Sequence, residues 1–217
     1  MNGIKTTLRN IAIVWLAVLS PAYAADMADI ALPQPRMEGG MPLMDALKAR
    51  QSSRAFSPKP LSDQMLSDLL WAAFGINRPD TGKRTAPSAR NWQEVDVFAV
   101  TENGAYLYDA KSNMLRTVAG GDLRKLAGAQ EFVGTAPLNL VFVADSARMT
   151  GSSPEDQALY AGADVGFIGQ NVYLFCASEG LATVVRGMVD REALAKALNL
   201  PDNKKIILAQ TVGYPGE

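Results

Sequence analysis

The run Leu138-Asn139-Leu140-Val141-Phe142-Val143-Ala144 constrains this chain more than any other stretch. It is almost continuously apolar, of strand length and rich in β-branched residues, the pattern of a strand at the middle of a sheet. Further strands are predicted around it. Val95 to Val100 leads to Asn103-Gly104, a strong hairpin turn, and Ala105 to Asp109 and Met114 to Val118 continue a meander. Leu181 to Val185 and Lys205 to Val212 complete the set. Helical spacing appears from Pro42 to Arg50, from the Ser62 cap to Gly75, briefly from Asp122 to Ala127, and from Asp190 to Leu198. The longest helix is expected from Pro154 to Ser178, stopped by Gly180. Hairpins mixed with helices predict an α+β fold with a central, mainly antiparallel sheet, flanking helices and one long core or dimer helix. Gly162, Gly166 and Gly169 lie near one side of that helix, which suits either tight packing within one chain or contact with a second copy. Residues 76 to 93 hold Pro79, Gly82 and Pro87 and read as one long loop.

The N-terminus reads as an export signal. Lys5 and Arg9 precede an apolar run from Ile11 to Leu19, and Ala22-Tyr23-Ala24 offers a small-residue cleavage site. The expected organisation is a signal peptide over 1–24, a Pro/Gly-rich linker over 25–40 and one domain over 41–217. The expected location is the periplasm, with no stable membrane span after cleavage. Cleavage would leave 19 basic against 22 acidic residues, a balance that favours neither nucleic acid nor an acidic membrane surface.

Two scarcities narrow the chemistry. The chain has no histidine, which excludes Ser-His-Asp and Cys-His sites and histidine-ligated zinc. Its one cysteine, Cys176, can close no internal disulfide and supplies no thiolate cluster, so no metal site is expected. Redox or group-transfer chemistry therefore needs a borrowed cofactor.

Two polar stretches could hold one. Arg50-Gln51-Ser52-Ser53-Arg54-Ala55-Phe56 sets two guanidiniums four residues apart around a pair of hydroxyls, a donor set suited to phosphate oxygens. Arg84-Thr85-Ala86-Pro87-Ser88-Ala89-Arg90-Asn91-Trp92-Gln93 lies directly before a strand. With Gly180-Leu181, Arg186-Gly187 and the closing Val212-Gly213-Tyr214-Pro215, these blocks, in this order, resemble the FMN-dependent nitroreductase family over roughly residues 41 to 215. The Arg-Thr-Ala-Pro-Ser-Ala wording is closer to the azoline-forming, SagB-type dehydrogenases than to the main nitroreductase branch.

The resemblance implies FMN as cofactor, a homodimer with two FMN molecules at the subunit interface, and no catalytic side chain beyond the flavin. It implies cofactor contacts at Arg50, Gln51 (through its backbone), Ser52 and Arg54, at Pro87, Ser88, Ala89 and Asn91, and at Val185, Arg186 and Gly187. The implied activity is ping-pong hydride transfer from NAD(P)H or another donor to a nitroaromatic or quinone-type acceptor. Two alternatives accompany it: a flavin- or ligand-binding protein without NAD(P)H-driven turnover, and a flavin dehydrogenase acting on a small ring substrate. Two departures stand out. The family's usual basic residue after the Gly-Tyr-Pro segment is missing before Glu217, with Lys204 or Lys205 as substitutes, and Glu94-Val95 stands where Pro-Trp is usual.

Overall fold

The computed structural model describes residues 28–216; the expected signal peptide, its cleavage point and Glu217 fall outside them. The strands are β1 (Ile30–Ala31), β2 (Ile76–Arg78), β3 (Lys83–Arg84), β4 (Val95–Val100), β5 (Gly104–Asp109), β6 (Met114–Gly120), β7 (Leu138–Asp145), β8 (Ala182–Arg186) and β9 (Lys204–Gly213). The α-helices are α1 (Leu43–Ala49), α2 (Asp63–Phe74), α3 (Pro154–Glu179) and α4 (Arg191–Ala197). Seven strands form one sheet in the order β1-β6-β5-β4-β7-β9-β8, and its pairings are antiparallel. The α+β expectation holds. β7, from the apolar run that predicted a central strand, is buried along its whole length between β4 and β9.

The sheet separates two cores. One face carries Val97, Leu140 and Phe142 against Leu69 and Leu70 of α2 and Val165, Ile168 and Val172 of α3. Fully burying an aliphatic side chain of this kind contributes roughly 1.5–3 kcal/mol, so α3 is fixed by its inner stripe despite its glycines. The other face packs Val141, Val143 and Ala209 against Leu194 of α4, against Leu198 just past its C-terminal end, and against 3-10 turns at Arg124–Ala127 and Glu131–Gly134. Each longer helix starts on a side-chain cap: Ser62 Oγ accepts from Met65 N–H, and Ser153 Oγ accepts from Asp156 N–H. Gly180, at φ 69°, ends α3 in the left-handed conformation that an alanine there would strain.

Two segments differ from the sequence expectation. Residues 76–93 are more than a loop, because β2 and β3 pair as a small hairpin around the Pro79–Gly82 turn. The breakers that argued against an element are the turn itself. Residues 28–36, expected as part of a linker, are extended as their prolines require but tied down. β1 pairs with β6, and Arg36 holds the buried Asp68 through both its backbone N–H and its guanidinium. Such a strap looks like a linker in sequence because, the Arg36 guanidinium apart, it is held mostly through its own backbone groups, which carry no periodicity. Among the described residues no helix is long and apolar enough to cross a membrane.

Candidate functional site

The first predicted stretch leaves α1 at Arg50 and is laid along the ends of β8 and β9. Ser53 N–H donates to Thr183 O at 2.9 Å, Ser57 N–H to Tyr214 O at 2.9 Å, and Gly216 N–H to Ala55 O at 3.1 Å. The hub of the arrangement is Tyr173, on the inner face of α3. Its Oη accepts a hydrogen bond from Val185 N–H at 2.9 Å and lies 2.8 Å from Ser52 Oγ. The Arg50 guanidinium sits 5.3 Å from the centre of its ring. With Val185 donating to the phenol oxygen, the phenol O–H is free to donate to Ser52, and the Ser52 proton is then free for a ligand. Gln51, Ser52 and Arg54 are exposed, and among the described residues neither Arg50 nor Arg54 makes an ion pair. The result is an open shelf of two uncompensated guanidiniums and a hydroxyl, the donor set that a phosphate monoester requires.

Tyr173 thus joins the first stretch to the third. Gly187 is exposed and Val185 half-buried. Arg186 contributes its backbone here and turns its side chain away. Its guanidinium turns to the far face of the sheet, donating from Nε to Thr211 Oγ1 (3.1 Å), from Nη1 to Ala127 O (2.7 Å) and from Nη2 to Asn139 Oδ1 (2.9 Å). Burial pushes its pKa down to about 10. The residue alternates inward along β8, so its side chain is committed to the core and only its backbone borders the shelf. Lys204 is likewise placed elsewhere. It opens β9 and pairs with Asp96 at 2.6 Å, eight residues and roughly 26 Å of strand from Val212, where the first stretch docks. Lys205 shares that distant end.

The second stretch is built as a rigid rim. Arg84 donates from Nε to Gln93 Oε1 and from Nη1 to Phe74 O, while Gln93 Nε2 donates to Gly82 O and Asn91 Oδ1. Gln93 N–H closes the turn on Ser88 Oγ. Arg90, Asn91 and Gln93 have φ of 49°, 55° and 48°, a cluster of left-handed residues that costs backbone energy. Pro87 and Asn91 are exposed; Ala89 N–H donates to Asp164 Oδ2 at 2.8 Å, and Trp92 meets the Tyr160 ring edge-on at 5.9 Å. These α3 anchors lie nine to thirteen residues before Tyr173, which at 1.5 Å per residue is roughly 14–20 Å along the helix. One chain therefore does not bring the two predicted stretches together.

The outward side of α3 is open to solvent. Leu159, Tyr160 and Phe167 are exposed, and nothing lies within 4 Å of where a Cβ would stand on Gly162 or Gly166. Gly169, by contrast, is buried under the Gln210 side chain, which donates to its carbonyl. Leu43, Met44 and Leu47 of α1 extend the exposed apolar area beside α3. A cleft of about 600 Å³ between residues 36–40, Trp71 and Phe175 carries none of the predicted site residues.

Residues 47–214 match the model of the nitroreductase family. The chain belongs to the nitroreductase family. It is therefore a member of a family of oxidoreductases. The structure of a Ralstonia eutropha protein named as a nitroreductase is 42% identical, with a TM-score of 0.84 over 91% of this chain and 94% of that one. A protein of Methanocaldococcus jannaschii named as a nitroreductase is 28% identical over 76% of this chain and 88% of its own length. The NADPH-flavin oxidoreductase of Vibrio harveyi is 26% identical over 80% of this chain and 66% of its own. Within this nitroreductase-family fold, sequence reasoning had missed Tyr173 and Asp164. Both sit in a helix whose neighbours read as core, and only the distant segments they anchor set them apart.

Proposed function

We propose that this chain is an exported FMN-dependent oxidoreductase that works as a homodimer, related to the azoline-forming branch through its Arg84–Ala89 wording. The observation that carries the reading is the Tyr173 hub. It holds Ser52 and Arg50 against the Val185–Gly187 strand end in an open shelf whose donors suit a phosphate and a flat polar ring. Arg50, Ser52 and Arg54 would hold the FMN phosphate, and the backbone of Gln51 and of Val185 to Gly187 would border the ring. The Pro87–Asn91 rim would come from a second copy. Two α3 helices packed antiparallel about Gly166–Phe167, midway between Tyr160 and Tyr173, would set one chain's rim at the level of the other's shelf. The bare glycine surface there permits the close backbone approach such a crossing needs. FMN, when bound, would supply the two-electron carrier for ping-pong exchange between NAD(P)H or another donor and a nitroaromatic or quinone-type acceptor. The chain's own part is then to bind, to orient and to leave one face open.

The test is an absorption spectrum of residues 25–217 followed by anaerobic titration with NADH and NADPH. Flavin bands that bleach and recover on adding a quinone are expected. A colourless protein that takes up no added FMN would refute the cofactor assignment; bands that neither nucleotide bleaches would refute NAD(P)H as donor.

A further inference from the structure

Glu94 lies at the junction of the rim and β4, where it is fully buried, and neither of its carboxyl oxygens has a hydrogen-bond partner. Unpartnered buried carboxylates are costly enough that one in a native core requires an explanation. Asp164 of α3, itself 2% exposed, acts on it: after burial, the Asp164 charge and a hydrogen bond to the Asp164 carboxyl hold the Glu94 pKa up. Two carboxylates cannot bond, since neither donates; one proton between them makes the bond and removes half the charge. The other group facing Glu94 is Arg148, from the 3-10 turn Ser146–Arg148, and it is already held by Asp96, Asp145 and the Gln93 carbonyl. The same Asp164 accepts the Ala89 N–H of the rim.

We propose that Glu94 is a positioning residue whose single shared proton with Asp164 latches the Pro87–Asn91 rim to α3, so that loss of the proton loosens the rim. The order of contacts is Glu94 carboxyl, proton, Asp164 carboxylate, Ala89 N–H. The chain between the two ends of this latch contains the left-handed residues Arg90, Asn91 and Gln93, so it stores strain that the latch restrains. Burial and the neighbouring Asp164 charge both favour the protonated form, raising the Glu94 pKa to about 7. The switch therefore operates in the neutral range: closed below it and loosened above it. Only its effect on FMN rests on the function proposed above; the latch itself does not.

The experiment follows amide hydrogen exchange in residues 85–95 and FMN affinity, between about pH 6 and pH 8.5, in the wild type, Glu94→Gln and Asp164→Asn. Exchange is corrected for its intrinsic pH dependence. In the wild type, protection of Ala89 should fall by roughly tenfold or more over this range, with FMN binding weakening in parallel. Glu94→Gln, whose amide donates to Asp164 at every pH, should remove the slope. Asp164→Asn, which can donate to an ionised Glu94 while accepting from Ala89, should remove it too, and it serves should Glu94→Gln fail to fold. Wild-type protection that is independent of pH, or slopes that persist in the variants, would overturn the latch, even if FMN binds normally. The expected protection slopes without FMN binding at any pH would uphold the latch and overturn the cofactor reading instead.

Discussion

Replacing Tyr173 with phenylalanine tests the hub on which the site is built. The ring and its packing on α3 remain, and only the phenol oxygen is lost. That oxygen accepts from Val185 N–H and bonds Ser52. A buried N–H left without an acceptor costs roughly 1–3 kcal/mol, and the neutral bond to a serine contributes about 1 or less where water can replace it. The expected loss is about 2 kcal/mol, a factor of roughly 30 in the folding equilibrium. For a domain of this size that corresponds to a drop in melting temperature of roughly 4–8 °C. The substitution also frees Ser52 and the Arg50 shelf from the strand end, so FMN affinity should fall about tenfold, beyond what lower stability alone produces at temperatures where the protein is folded. Calorimetry gives the first quantity and flavin fluorescence titration the second. A melting temperature within about 1 °C of the wild type together with unchanged FMN affinity would refute the hub.

Three further outcomes are expected. The folded state keeps the Glu94 proton up to about pH 7 while an ordinary glutamate releases it near 4.5, so stability should fall as pH rises through that window and level off above it. The total is about 3 kcal/mol, and urea denaturation at a series of pH values measures it; a stability that rises across the window would contradict the assignment. Phe167→Glu, on the exposed stripe of α3, should leave the monomer fold intact but halve the mass seen by light scattering and lower FMN uptake; an unchanged dimer would exclude this face as the interface. Gly213→Ala would set a Cβ 2.8 Å from Pro137 Cδ and 3.4 Å from Phe56 Cδ1, and should cost roughly 1–3 kcal/mol in chemical denaturation, since the proline ring has little room to yield.

Much of the frame was legible because its signals are local. The apolar run of β7, the Asn103-Gly104 turn, the Ser62 and Asp190 caps and the Pro154–Gly180 bounds of α3 each act within a few residues. β1 escaped notice because two residues carry no period, and its pairing with β6 spans more than eighty positions. The site was legible by residue type and illegible by direction. The guanidiniums of Arg50 and Arg186 look alike in sequence, yet strand alternation sends Arg186 into the core while the end of α1 leaves Arg50 at the shelf. Tyr173 and Asp164 owe their significance to what lies across space from them, and a helix read alone shows only that Tyr173 is apolar in company and Asp164 is not.

The order of strands also sets when the fold can close. β9 lies between β7 and β8, so the latest of the described strands in chain order occupies an interior position in the sheet. Until Lys204–Gly213 is present, β8 has no neighbour among the described strands and one edge of β7 is unpaired. A growing chain therefore gathers α2, α3 and the β4–β6 meander without completing the core that would fix them, and its long-range pairings form late. The described sheet therefore closes only when its latest strand is added between two neighbours already made.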